Sequence, residues 1–302
     1  MYLILLTIMG TLPFDEMGLK AGKATFEGGR LKVEDFEVTP SLGTSVMVAS
    51  ACITCKALNL EPPYFITAGD IGDGKRSKDL YNYVAANLTT LDVTVLAMHY
   101  IMPDIPGIRN VLNSLGERRG GMTLIADAGG MYAAKAAGLA QRIDIFTPDA
   151  GEMAYLADPK ATHPAYVEHL LFELDASEVV TLIRKAYESG NTPKILLVKG
   201  PVDYIVEDGE VVETIEEPSI SAMEAIGGTG DSLTGILSAL IHGGYEKVDA
   251  CTKAARINRI AGKLAEPDPA TSILNIITKI PDALKEVNIA PQLEYWNIGM
   301  VE

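Results

Sequence analysis

The run Gly227-Gly228-Thr229-Gly230-Asp231 contains the residue types best suited to chemistry, because it opens the apolar, helix-forming segment 232–241. Closely spaced glycines let the backbone approach a ligand and turn N–H groups toward it, and the following helix directs its positive dipole end to the same place. The run therefore predicts an anion hole, with Asp231 as a candidate general base beside a bound phosphate. A helix start after a glycine-rich turn is the plainer alternative.

Polar residues also follow three of the apolar runs expected to be strands. Asp127 follows 123–126, Asp149 and Glu152 follow 143–146, and Lys199-Gly200 follows 195–198. Ligands of parallel sheets bind beyond the carboxyl ends of the strands. Asp149 and Glu152 are hard oxygen ligands that would hold Mg²⁺ through water, and Lys199 would neutralise phosphate charge, which indicates a nucleotide-phosphate site. Taken singly, the two acids are better explained as part of a helix N-terminus, and Lys199 is compatible with a solvated turn; it is their shared position at strand ends that favours the site.

Apolar runs alternate with helix-patterned segments along the first two thirds of the chain. Strands are predicted at 64–67, 93–97, 123–126, 143–146 and 195–198, and helices near 42–58, 76–88, 105–118, 130–140, 150–158 and 176–189. After Asp231 the pattern is almost wholly helical to about residue 288. Apolar strands alternating with helices predict an α/β fold with a mainly parallel sheet covered on both faces.

Two local segments depart from this alternation. Residues 24–33 are typical of a hairpin turning at Gly28-Gly29, so the region 22–38 is a candidate small β-flap or an edge addition. Residues 2–9 lack the basic flank and cleavage site of a signal peptide and are predicted to form a buried first strand. No repeat, low-complexity run or linker divides the chain, so we predict one domain over 1–302.

Composition narrows the classes of partner and compartment. The chain has 302 residues, is 48% hydrophobic and carries a formal net charge of -15, which argues against nucleic acid or an anionic membrane as partners. Three cysteines are too few for a disulfide framework and indicate a reducing, cytoplasmic environment. Cys52 and Cys55 have neither a second cysteine pair nor a nearby histidine to complete a zinc site, so we interpret both thiols as packing residues.

Three motifs together carry a family resemblance: Thr147-Pro148-x-x-Gly151-Glu152, Val198-Lys199-Gly200-x-x-Asp203, and Gly228-Thr229-Gly230-Asp231-Ser232-Leu233-Thr234-Gly235. Over about residues 120–265 the chain resembles the ribokinase-like superfamily, most closely its branch of nucleotide-dependent NAD(P)H-hydrate dehydratases and carbohydrate kinases. The resemblance implies a three-layer α/β sandwich with a mainly parallel central sheet flanked by helices, and ADP or ATP bound with Mg²⁺. It implies that Asp231 is the catalytic base, that the glycine backbone is the anion hole, and that Glu152 lies near the magnesium and its waters.

The first half departs from that branch, whose substrate loop is rich in glycine. Here the corresponding segment is His99 to Gly107, and only Gly107 is a candidate equivalent. A second stretch, 69–75, resembles the Gly-Asp segment of sugar kinases or an ordinary loop. The residues predicted to contact substrate are Asp70, Asp73, His99, Tyr100 and Asp127. A buried, hydrogen-bonded histidine is the alternative for His99.

Three functions are compatible with these features. In the first, the nucleotide activates the hydroxyl of a hydrated nicotinamide nucleotide, and loss of the activated group restores the reduced cofactor. In the second, Asp231 deprotonates the hydroxyl of a sugar or other small alcohol, which attacks the terminal phosphate. In the third, a nucleotide-binding protein has kept the fold without turnover, although such a protein has no need of a base at Asp231. For each, a small-molecule ligand and a homo-oligomer are expected.

Overall fold

One mixed sheet runs through the protein. The computed structural model describes residues 4–161 and 176–289. In these residues the sheet has eleven strands, in the spatial order β11-β10-β9-β8-β7-β6-β1-β5-β2-β3-β4. The strands are β1 Ile4–Met9, β2 Lys20–Glu27, β3 Arg30–Val33, β4 Phe36–Val38, β5 Tyr64–Thr67, β6 Asp92–Met98, β7 Thr123–Ala126, β8 Ile145–Phe146, β9 Ile195–Val198, β10 Asp203–Glu207 and β11 Glu210–Ile215.

The six central strands, from β9 to β5, are mutually parallel, as the alternation of strands and helices predicts. The strand predicted at 143–146 is shorter in the structure and covers only Ile145–Phe146. The reason lies in Asp144, whose carboxylate accepts the Leu124 N–H at 2.7 Å. The Asp144 side chain therefore occupies a backbone N–H of β7 that would otherwise bond to a carbonyl of the neighbouring strand.

Helices cover both faces of the sheet. They are α1 Thr44–Ala57, α2 Lys75–Asn87, α3 Ile105–Ser114, α4 Ala128–Ala136, α5 Ala150–Ala157, α6 Ala176–Glu188, α7 Thr229–His242, α8 Lys247–Ala265, α9 Ile273–Ile277 and α10 Ile280–Glu286. The helix predicted over 105–118 ends at Ser114, and a 3-10 turn follows over Gly116–Gly121. Among the helices in the described ranges, none has the length and apolar character that crossing a bilayer requires.

Two hydrophobic cores lie on opposite faces of the sheet. Ile8 and Val95 pack in one core with α1 and α7 to α10, whereas their neighbours Met9 and Leu96 pack in the other with α2 to α6. Successive residues of a strand point to opposite faces, so each central strand contributes to both cores. This arrangement confirms the predicted three-layer sandwich with a mainly parallel central sheet.

The predicted hairpin is present at one edge. Glu27 pairs with Arg30 across the turn at Gly28-Gly29, and β4 continues the antiparallel ladder after β3. Residues 20–23 of β2 pair antiparallel with β5, so the three strands extend the sheet at that edge.

The cysteines are packing residues, as the sequence indicates. Cys52, Cys55 and Cys251 are all buried and carry free thiols. Burial raises the pKa of Cys55 to about 12, so its reactive thiolate form is scarce at neutral pH.

The helices α1 and α7 approach each other closely at Gly235. A Cβ added there would overlap the backbone carbonyl oxygen of Met47. We therefore expect Gly235→Ala to lower the free energy of unfolding by about 1 to 3 kcal/mol, measured by chemical denaturation, because two helix backbones would have to separate. Gly18→Ala is the matched control, since a Cβ added at Gly18 would meet nothing within 4 Å. Equal stability of the two variants would contradict this packing account.

Candidate active site

The glycine run places the start of α7 at the floor of a cavity. Gly228, with a φ of 98°, directly precedes the helix, and a Cβ there would lie 3.1 Å from Ile273 and 3.3 Å from Val46. Asn258 on α8 secures the first turn, since its side chain donates to the Thr229 carbonyl at 3.0 Å and accepts from the Ser232 hydroxyl at 2.6 Å. The first N–H groups of a helix have no partner within it, so this end suits an anion.

Asp231 lies on that first turn and is 14% exposed. Its Oδ2 accepts the Gly43 N–H at 2.6 Å, and its Oδ1 lies 3.1 Å from His99 Nε2. Burial by itself would raise the pKa of this carboxyl, but His99, Lys199 and the Gly43 N–H outweigh burial and hold the pKa below its usual value. Asp231 is therefore ionised at neutral pH, the state that a general base requires.

Lys199 is not a solvated turn residue, because its ammonium group pairs with Asp127. The two Asp127 oxygens lie 3.0 and 2.9 Å from Lys199 Nζ, and both side chains are largely buried. Burial tends to lower the pKa of Lys199, but Asp127, Glu152 and Asp231 raise it, so the charge is retained. Lys199 also packs beside Gly230, with Nζ 3.5 Å from the position of an added Cβ. The ammonium charge therefore lies next to the start of α7.

Asp149 and Glu152 form a capping box at the start of α5. Each carboxylate accepts the other residue's backbone N–H, at 2.7 and 2.9 Å, and Glu152 Oε1 also accepts from the Tyr132 hydroxyl at 2.5 Å. Burial, reinforced by Asp127 and Asp149 and opposed by Lys199, raises the pKa of Glu152 to about 7. The local structure is thus the helix N-terminus that the sequence offered as an alternative, and both carboxylates still line the cavity.

These acids bear on whether magnesium fits. In the part of the chain that the structure describes, no three His, Cys, Asp or Glu side chains converge as a metal cage. Mg²⁺ commonly keeps several waters and takes its other ligands from one or two carboxylates and substrate phosphates. Asp149 and Glu152, which line the same cavity as Lys199 and Gly230, fit an ion bound in that way.

Arg259, which the sequence analysis missed, fixes the loop after β9. Its guanidinium donates to Asp203 at 2.7 Å, to the carbonyls of Gly200 and Pro201 at 2.9 Å each, and to the Glu216 carbonyl at 2.8 Å. Asp203 is the last residue of the Val198-Lys199-Gly200 motif. One feature of the sequence could have identified it: Arg259 is a charged residue on the face of α8 that otherwise carries apolar residues. In the structure it is 7% exposed.

The cavity at the start of α7 has a volume of about 410 Å³. Most of the residues predicted for nucleotide and metal line it, whereas Gly227 lies outside the lining. Its wall continues from the start of α7 to a patch on the segment that precedes this helix. The lining residues that the sequence predicted are Asp127, Asp149, Glu152, Lys199, Gly200, Gly228, Thr229, Gly230 and Asp231, and the patch comprises Pro218, Ser219, Ile220, Met223 and Glu224.

A second cavity, of about 320 Å³, adjoins the first. Tyr100 lines both cavities, and Gly43, which donates to Asp231, lies on the wall of the second. Burial, with Asp231 and Asp127 nearby, raises the pKa of Tyr100 to about 12, so its hydroxyl is neutral. Asp231 therefore stands between the two cavities.

The residues predicted to contact substrate lie in different surroundings. Asp70 borders the second cavity, but its oxygens accept from Gly72, Gly74 and Ser77 and so build the loop before α2. Asp73 lines neither cavity and pairs with Lys75 at 2.8 Å on the surface.

His99 is the buried, hydrogen-bonded histidine of the alternative interpretation. Gly107 belongs to α3 rather than to a ligand loop, since an added Cβ would lie 2.7 Å from the Tyr81 ring. Tyr100 thus lines both cavities and Asp127 lines only the first, whereas Asp73 and Gly107 have other surroundings.

Comparisons with known proteins identify the family of this chain. A family model described as NAD(P)H-hydrate dehydratase matches residues 75–282. The chain is 41% identical over 239 residues to an uncharacterized protein of Methanocaldococcus jannaschii, covering 79% of this chain and 98% of that one. It is 34% identical over 99 residues to the ADP-dependent (S)-NAD(P)H-hydrate dehydratase of Haloterrigena turkmenica, covering 32% of this chain and 37% of the relative.

A solved structure extends the likeness of fold. The pyridoxal kinase of Entamoeba histolytica superposes with a TM-score of 0.54 at 15% identity, covering 93% of this chain and 95% of that one. At that identity the likeness concerns the fold alone. Because the family model matches more than half of its length, the chain belongs to the NAD(P)H-hydrate dehydratase family.

Proposed function

We propose that this protein is an ADP-dependent NAD(P)H-hydrate dehydratase in which Asp231 is the base. The observation that carries the proposal is the position of an ionised carboxylate between two adjoining cavities, one with a helix N-terminus and a buried lysine, the other largely apolar. A phosphate donor in the first cavity and an acceptor ring in the second would meet at Asp231.

The chemistry proceeds in two steps. Asp231 takes the proton from the hydroxyl of the hydrated nicotinamide ring as that oxygen attacks the terminal phosphorus of ADP, and AMP leaves. The phosphorylated oxygen then departs as inorganic phosphate when its bond to the ring carbon breaks, and the neighbouring ring carbon loses a proton to restore the double bond. The balance is one hydrate and one ADP converted to one NAD(P)H, one AMP, one phosphate and one proton. The N–H groups at the start of α7 and the Lys199 ammonium would stabilise the negative charge on the phosphoryl group during its transfer.

The experiment that tests the proposal follows nicotinamide absorbance after hydrated NADH is mixed with the protein and ADP, and in parallel with ATP. Return of the absorbance with stoichiometric AMP and phosphate is the expected result. A panel of sugars with ATP, assayed for phosphorylated product, forms the second arm. A phosphorylated sugar without recovery of NADH would replace the dehydratase by a kinase, and neither product would favour a nucleotide-binding protein without turnover.

Magnesium is part of the proposal, with Asp149 and Glu152 holding its waters. When bound, the ion would neutralise charge on the phosphate oxygens. Glu152→Gln keeps an acceptor for Tyr132 but removes the negative charge, so we expect half-maximal turnover to need at least tenfold more Mg²⁺, in line with the roughly 10- to 100-fold cost of losing an outer-shell partner. The measurement is turnover against Mg²⁺ concentration, with the exposed Glu61→Gln as control. Full turnover in excess chelator would exclude this role.

A further inference from the structure

His99 brings together three elements that are far apart in the chain. It follows β6, is fully buried, and places its Nδ1 3.0 Å from the Thr44 hydroxyl at the start of α1. Its Nε2 lies 3.1 Å from Asp231 Oδ1 on α7 and 3.7 Å from Asp127 Oδ2 after β7. This nitrogen is not aligned with either carboxylate as a regular hydrogen bond, so it faces the space between the two.

The surroundings determine which ring nitrogen carries the proton. Nε2 faces two acceptor-only carboxylates, so the proton belongs on Nε2, and the Thr44 hydroxyl then donates to Nδ1. The Tyr100 ring packs edge-on against the imidazole, with ring centroids 4.5 Å apart and an interplanar angle of 82°. Tyr100 also lies against Gly43, where a Cβ would come within 2.9 Å of its ring. The imidazole is therefore held in place from several sides.

We propose that His99 is a positioning residue for Asp231: its Nε2 lies 3.1 Å from Oδ1 while the Gly43 N–H binds Oδ2, and the two contacts together aim the carboxylate at the boundary of the two cavities. The proposal rests on the proposed role of Asp231 as base.

The other groups near Asp231 either favour or oppose the ionised form of its carboxyl. Lys199 and the N-terminus of α7 favour the negative charge of Asp231. The carboxylates of Asp127, behind His99, and of Glu152, farther along the cavity, oppose it. Tyr100 carries no charge. Among the groups that hold the pKa of Asp231 down, His99 acts most strongly. Removal of the Nε2 proton donor therefore raises the pKa of Asp231, and the ionised base is lost at a higher pH as the solution is acidified.

The test uses variants that separate the two ring nitrogens. His99→Leu removes both, His99→Gln retains an N–H donor near the position of Nε2, and His99→Asn retains an amide near Nδ1 and Thr44. The ¹³C shift of the Asp231 carboxyl carbon, assigned with Asp231→Asn, is followed against pH in the whole protein without substrate. We expect the midpoint to rise by about one pH unit in His99→Leu and His99→Asn, and to change little in His99→Gln.

The pH profile of kcat is the second readout. Its acid limb is expected to move to higher pH with the same ranking of variants, whereas a purely structural loss would lower kcat equally at every pH. Equal Asp231 midpoints in wild type, His99→Leu and His99→Asn would overturn the proposal. If His99→Leu does not fold, the comparison of His99→Asn with His99→Gln decides. Failure of the wild type to restore NADH would refute the proposed function and leave the carboxyl titration as an independent result.

Discussion

Asp231→Asn is expected to reduce the rate of NADH recovery by on the order of 10² to 10⁴, the range for loss of a positioned general base. The amide oxygen can still accept the Gly43 N–H that Asp231 Oδ2 accepts at 2.6 Å, so the start of α7 should keep its geometry. The backbone donors of that first turn also remain. ADP affinity, measured by calorimetry, should therefore change little while kcat falls.

The matched control is Asp73→Asn, which neutralises a surface carboxylate outside both cavities. Its kcat should equal that of the wild type. If Asp231→Asn retained full activity in whichever reaction proves real, Asp231 would not be the base, and the glycine run would serve binding alone.

Lys199→Met is expected to lower the free energy of unfolding by about 3 to 5 kcal/mol, the usual cost of leaving one member of a buried ion pair without its partner. The partner is Asp127, whose two carboxylate oxygens each accept a hydrogen bond from Lys199. Asp127 also accepts from the Thr234 hydroxyl at 2.6 Å. Urea denaturation measures the loss. ADP affinity should fall as well, because the ammonium group lies beside Gly230.

A double variant separates charge from packing in this pair. Adding Asp127→Asn to Lys199→Met removes the unpaired charge, so part of the stability should return. Lys194→Met is the surface control, since Lys194 is exposed, its partner Glu207 is partly exposed, and surface pairs contribute about 0 to 1 kcal/mol. A loss for Lys199→Met no greater than that of the control would show that the buried pair does not stabilise the fold.

The sequence by itself determined the fold class and most of the central strands and helices, because those depend on neighbours along the chain, but it did not predict β10 and β11. The predicted strands 64–67, 123–126 and 195–198 match β5, β7 and β9 residue for residue. Apolar runs bounded by polar residues define a covered strand without reference to the rest of the molecule. The same local reasoning predicts Asp231 on the first turn of a helix behind a glycine run. The structure agrees, because α7 begins at Thr229.

The tertiary structure alone decided which side chains meet. Asp231 lies 188 positions along the chain from Gly43, and Lys199 lies 72 from Asp127, so no periodicity links either pair. The spatial order of the strands brings the ends of β6, β7 and β9 to the same edge, where His99, Asp127 and Lys199 follow them. A histidine in one sequence is compatible with a substrate contact or a buried hydrogen bond, and only the packing of α1 and α7 against β6 surrounds His99 with Thr44 and Asp231.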